Sequence, residues 1–111
     1  MEKMAALDAL AGLAHENRLD VFRHLVELGP GGAPAGRISS ALNLAPATLS
    51  FHLKEMKVAN LVTCRRDGRS LIYAAAFDAM NELIAYLTDN CCRGGIASCD
   101  APARPKTKSS T

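Results

Sequence analysis

The chain has no tryptophan, and phenylalanine and tyrosine together make up only 5% of its 111 residues. A core built from it must rest on aliphatic side chains. No apolar run approaches the roughly 18 residues of a membrane span, so a transmembrane segment and a membrane partner are not expected. The opening residues, Met1-Glu2-Lys3-Met4, lack the basic and then apolar blocks of a secretory signal. A cytoplasmic protein is the expectation, with reduced thiols available for metal or redox chemistry rather than structural disulfides. A strong charge excess is missing too: the formal net charge of +2 says nothing about nucleic acid until its distribution is considered. Histidine is scarce; His15 and His24 have no partner at ligand spacing and read as ordinary helix residues. There is no internal repeat.

What is present, 49% hydrophobic and 22% charged residues, suits one globular domain with a modest core. Met4, Leu7, Leu10 and Leu13 recur at helical steps over residues 4 to 14. A second helix fits Glu16 to Leu28, with Leu19, Phe22, Leu25 and Val26 facing inward, and stops at Gly29-Pro30-Gly31-Gly32. Pro34 suits the first turn of a third helix, with Ile38, Ala41 and Leu42 on its core face. Asn43-Leu44-Ala45 interrupts, and Pro46 opens a fourth helix to about Ala59, in which Leu49, Leu53 and Met56 form the buried stripe.

The period then changes. Residues 61–66 and 69–74 flank Asp67-Gly68, a signal for a two-stranded hairpin. Phe77, Met80, Leu83, Ile84 and Leu87 mark a last helix, and from Arg93 onward glycine, proline, lysine and serine take over. The expected fold is mainly α with a small β-hairpin (α-α-α-α-β-β-α), a domain over residues 1–92 and a flexible tail over 93–111, of which Ala101 to Thr111 reads as disordered.

Two short helices joined by a tight turn and followed by a basic hairpin form a winged helix-turn-helix arrangement. With Leu49, Leu53 and Met56 in the core, a 100° step per residue places Ala47, Ser50, Phe51 and Lys54 on the opposite face, with Thr48 at its edge. Short hydroxyls can reach base edges or phosphates, and an exposed methyl or phenyl can meet a thymine methyl. Arg65, Arg66 and Arg69 gather at the hairpin, where guanidinium groups can grip phosphates or enter a minor groove. Five of the 13 Lys and Arg residues lie between Lys54 and Arg69, against only Glu55 and Asp67. The expected partner is double-stranded DNA. His52 lies beside the core stripe, where packing, a local hydrogen bond and DNA contact all remain open.

Three stretches carry a family resemblance: "LAHENRLDVFRHL", "LNLAPATLSFHLKEMKVANLV" and "RRDGRSLIYA". They resemble the ArsR/SmtB family of winged helix-turn-helix repressors over roughly residues 5 to 90, through the Ser-x-His-Leu-Lys and Gly-Arg-x-x-x-Tyr elements. The resemblance implies a homodimer built from the first and last helices, which leaves its operator DNA when a metal or metalloid binds. A dimer also accounts for the wide apolar face over residues 77–87.

The family's effector sites carry over only where residues match. "GRISSALNL" has no Cys-x-Cys pair, and "FDAMNELIAYLTDN" has no histidine for the zinc-type site. Cys91, Cys92 and Cys99 match a variant in which a C-terminal Cys-Cys pair and a third cysteine bind trivalent arsenic, the tail contributing one ligand. Soft thiolates select thiophilic ions. Trivalent arsenic or antimony, taken as the inducer at one ion per subunit, favours three sulfurs in a pyramid, whereas zinc wants a fourth ligand and only Asp89 and Asp100 lie near. If helical, Cys91 and Cys92 would point about 100° apart, so the helix must fray before both can face one ion. Gly94 and Gly95 allow the chain to turn so that Cys99 can return.

A thiol-redox or persulfide-responsive repressor stays open, because Cys99 can pair with Cys91 or Cys92. An enzyme such as a thiol-dependent arsenate reductase would need an anion-binding loop around its nucleophile. Cys64, in "CRRDGRS", reads instead as a small packing residue in a strand. No catalytic residue and no catalytic cofactor are expected.

Overall fold

The computed structural model describes residues 1 to 94. Its elements are α1 (Lys3–Leu13), α2 (Glu16–Leu28), β1 (Ala33–Pro34), α3 (Ala35–Leu42), α4 (Pro46–Val58), β2 (Val62–Asp67), β3 (Ser70–Ala75) and α5 (Phe77–Thr88). The five expected helices and the hairpin are present. Val21 and Leu25 from α2, Ile38 from α3, and Leu49, Leu53 and Met56 from α4 are fully buried with Leu61. The i, i+4, i+7 stripe of α4 is thus the spine of the core. Among the described residues no helix is long and apolar enough to cross a membrane.

The sheet has three strands, in the order β1-β3-β2, all antiparallel. The sequence predicts only the hairpin; β1 is two residues long, too short to show alternation. Ala33 pairs with Tyr73 and Pro34 with Ile72. Gly32, at φ 62°, makes that approach possible, since a Cβ there would lie 2.1 Å from the Tyr73 carbonyl oxygen. The hairpin turn falls one residue later than Asp67-Gly68: Asp67 pairs with Ser70, leaving Gly68 and Arg69 as the turn. Gly68, at φ 65°, takes the first central position, where a type II′ turn calls for glycine.

The largest departure is in α1. Its buried residues are Ala6, Ala9 and Gly12, while Met4, Leu7 and Leu10 remain 59%, 49% and 40% exposed. Small side chains let α1 lie close on the domain; a Cβ at Gly12 would sit 2.7 Å from Leu61 Cδ1 and 2.8 Å from Ala59 Cβ. In α2, Leu19 points out and Val21 takes its place inside. In α3, Ser39 rather than Ala41 joins Ile38 in the interior. Helix α5 turns Leu83 inward with Phe77 and Met80 beside the core, and leaves Ile84, Tyr86 and Leu87 exposed.

Candidate nucleic-acid interface

The turn between α3 and α4 is fixed by backbone chemistry. Asn43 adopts the left-handed region (φ 56°, ψ 44°) and ends α3. The Leu44 N–H donates to the Ser39 carbonyl at 3.0 Å and the Asn43 N–H to the Ser40 carbonyl at 3.4 Å, the two bonds of a Schellman motif. The buried Ser39 hydroxyl donates to the Leu44 carbonyl and closes the same turn. Pro46 then starts α4 at its first position, where its missing N–H costs nothing. Ser39 was not among the expected site residues; asparagine in the interrupting segment was the available sign of a left-handed stop.

With the stripe of α4 buried, Ala47, Thr48, Ser50, Phe51 and Lys54 are all exposed, together with Lys57 and Val58. Phe51 is 58% exposed and Val58 79%. His52 is only 5% exposed. Its ring centroid is 4.6 Å from that of His15 and 5.6 Å from that of Phe51. Its Nδ1 is buried without a hydrogen-bond partner among the described residues. Burial first, then the nearby His15 and Arg18, hold its pKa below the ordinary 6.5. His52 therefore packs α4 against the start of α2. His15, expected within an ordinary helix, instead caps α2: its Nδ1 accepts from the Asn17 N–H at 3.1 Å.

Arg65, Arg66 and Arg69 are all exposed on the wing. Arg65 and Arg66 are neighbours on one strand, so their side chains leave opposite faces of the ribbon. Arg65 stands across from Ile72 and donates from Nη2 to the Gly31 carbonyl at 3.2 Å. Arg66 stands across from Leu71, and Arg69 lies in the turn at the tip. Half-buried Cys64 pairs with Tyr73. Burial, and then the hydrogen bond with Cys64, push the Tyr73 hydroxyl pKa above its usual value.

Beyond α5 the chain leaves the helix before its cysteines. The Cys91 N–H donates to the Thr88 carbonyl at 3.0 Å, and Asn90 and Cys92 both take positive φ, 62° and 65°. Asparagine tolerates that region, whereas holding Cys92 there costs about 1–2 kcal/mol. The result brings the Cys91 and Cys92 sulfurs to 3.3 Å, which a continued helix would not do. Among the described residues, no three His, Cys, Asp or Glu side chains cluster to hold a metal. Of the expected tail over 93–111, residues 95–111, with Gly95 and Cys99, lie outside the described residues.

Comparison with known proteins supports this architecture. A family model described as a helix-turn-helix domain matches residues 13–65. The HTH-type transcriptional regulator YgaV of Escherichia coli is 31% identical over 91 residues, covering 82% of this chain and 88% of that protein. The nodulation protein NolR of Rhizobium meliloti is 29% identical over 80 residues, 72% of this chain, and the match spans only 63% of its own length. Among solved structures, an ArsR-like transcriptional regulator from a Rhodococcus species superposes with a TM-score of 0.67 at 24% identity, over 76% of each chain.

Proposed function

As the chain belongs to the ArsR family of winged helix-turn-helix transcriptional regulators, we propose that it is a homodimeric repressor released from operator DNA by trivalent arsenic or antimony. Regulators of this kind bind DNA and are not enzymes. Helix α4 enters the major groove with Ala47, Thr48, Ser50, Phe51 and Lys54, and the wing arginines hold the phosphates. The dimer forms through the exposed apolar faces of α1 and α5: Met4, Leu7 and Leu10 on one, Ile84 and Leu87 on the other. These exposed apolar side chains are the area such an interface would cover.

The inducer binds Cys91, Cys92 and Cys99, one ion per subunit. The observation that supports this reading is the 3.3 Å separation of the Cys91 and Cys92 sulfurs, a pair that can serve as two ligands once Cys92, which is disulfide-bonded in this structure, is reduced. With ion–sulfur bonds of about 2.3 Å, that separation subtends roughly 90° at a shared ion. Such an angle suits a three-coordinate pyramid better than tetrahedral zinc. For release, the ion must bind more tightly to the conformation that holds DNA poorly, and DNA must weaken ion binding by the same factor.

The same sulfur pair supports a second reading, a thiol-redox or persulfide-responsive repressor. Titration of the operator complex with arsenite, antimonite, zinc, cadmium and a disulfide oxidant separates the two. Release at one arsenite per subunit with loss of three titratable thiols supports the metalloid sensor; release by the oxidant alone refutes it. The intrasubunit ligand set is tested by mixing Cys91→Ser and Cys99→Ser chains. In that heterodimer both intrasubunit sites are broken, so a recovered arsenite response would mean that Cys99 reaches the partner.

A further inference from the structure

The outward ridge of α4 has a composition that limits what it can read. Its residues are Pro46-Ala-Thr-Leu-Ser-Phe-His-Leu-Lys-Glu-Met-Lys-Val58, with no arginine, asparagine or glutamine. The planar side chains that recognise guanine or adenine by paired hydrogen bonds are therefore absent from the helix, which leaves the Lys54 ammonium, among the outward residues of its first two turns, as the one charged group able to reach a guanine edge. What faces out from its first two turns is Ala47, Thr48, Ser50, Phe51 and Lys54, every one exposed. Ala47 and Phe51 are four residues apart, so they share one line of the helix about 6 Å long. Thr48 adds a methyl beside them. Phe51 is 58% exposed, although a phenyl ring is among the costlier side chains to leave in water. Its ring touches His52 edge-on, with centroids 5.6 Å apart, and the buried His52 thereby limits how far Phe51 can fold back.

We infer that base reading by α4 depends on thymine 5-methyl groups, with Phe51 as the principal specificity-determining residue and Ala47 and Thr48 beside it. This rests on the assignment of α4 as the DNA-reading helix and adds the chemical group it reads. Thymine is the only base that carries a methyl into the major groove. An apolar ridge at the groove floor gains by covering that methyl and gains nothing from cytosine at the same place. The hydroxyls of Thr48 and Ser50 and the Lys54 ammonium supply the remaining polar contacts, to phosphates or base edges.

The test begins with selection of bound duplexes from a randomised library by the full chain. Each thymine of the selected half-site is then replaced by deoxyuridine, which removes only the methyl. Burial of one methyl is worth about a fourfold change in affinity, so loss at both half-sites of a symmetric duplex is expected to weaken binding about fifteenfold. Phe51→Ala is expected to bind thymine and uracil duplexes nearly equally. Equal binding of the two duplexes by the unaltered protein, with selection over random DNA retained, would overturn the methyl reading and leave the regulator standing. Selection that enriches no sequence at all would instead remove the DNA-reading role of α4, and this inference with it. The uracil comparison uses the unaltered chain, so neither outcome depends on whether a variant folds.

Discussion

Leu7 and Leu10 give the sharpest test of the proposed dimer because α1 is seated on its own domain by Ala6, Ala9 and Gly12 instead. The two leucines are 49% and 40% exposed in the protomer. Complete burial of a leucine side chain is worth about 2 kcal/mol, so roughly half of that, about 1 kcal/mol, remains to be gained by each on assembly. Truncation to alanine removes three of the four side-chain carbons. Over two positions and two protomers, Leu7→Ala with Leu10→Ala should forfeit about 3 kcal/mol of association, a rise of roughly a hundredfold in the dimer dissociation constant. The isolated protomer should be untouched, since neither side chain fills its core and alanine is the better helix former. Sedimentation over a dilution series measures the dissociation constant. Thermal unfolding should show a lower midpoint than the parent at the same protein concentration. A double variant that dimerises as tightly as the parent would refute the assignment of this face to the interface.

On the wing, Arg66→Ala or Arg69→Ala should weaken binding to operator and random DNA alike and flatten the salt dependence by about one phosphate's worth per subunit. Arg65→Ala should show the same loss with a small drop in stability, because it also removes the bond to the Gly31 carbonyl; unchanged salt slopes in all three would exclude the wing from the interface. The His52 pKa lies below its unfolded value, so folding favours the neutral ring. That stability is complete above about pH 6.5 and declines as the pH falls from there toward the folded pKa. His52→Gln should therefore unfold with a flatter pH dependence between about pH 7 and pH 5, and an unchanged profile would contradict the burial argument. Cys64→Ser should leave arsenite release intact, with a modest stability loss from placing a hydroxyl beside Tyr73; a variant that bound DNA but ignored arsenite would bring Cys64 into the sensor.

Helix α4 was legible in the sequence because one period decides it: Leu49, Leu53 and Met56 are large and apolar at i, i+4 and i+7, and Thr48, Ser50 and Lys54 beside them are polar. The hairpin was legible through Asp67-Gly68, to within one residue. Helix α1 misled for a physical reason. Its leucines recur at helical spacing as a core stripe would, but periodicity only says that one face avoids water, not which molecule covers it. The face that meets the domain is made of Ala6, Ala9 and Gly12, which carry little hydrophobic signal yet permit the closest approach. Strand β1 has no period to detect, and depends on Gly32 admitting the Tyr73 carbonyl. At the cysteines, adjacency was visible and the need to leave the helix followed from the 100° step. The positive φ angles of Asn90 and Cys92 that meet that need have no sequence signature beyond asparagine's tolerance of that region.

In the proposed mechanism, α5 joins the two halves of the function. Leu83, 7% exposed, fixes it to the core, while Ile84 and Leu87 project from the same helix toward the partner. Cys91 follows its last residue, Thr88, by three positions and is hydrogen-bonded to it. An ion held by the sulfurs therefore pulls on the end of an element whose outer face is shared between protomers, and it need not touch DNA. What it must alter is the match between two α4 helices and successive major grooves, about 34 Å apart. A hundredfold release requires about 2.7 kcal/mol of difference in ion affinity between the two dimer geometries. Three thiolate bonds exceed that severalfold, taking structural zinc sites, at about 10–16 kcal/mol, as the scale. The strength of the response is thus set by how much of the binding energy α5 transmits, not by how tightly the ion is held. Tighter binding with no preference between the two geometries would leave the repressor on its operator.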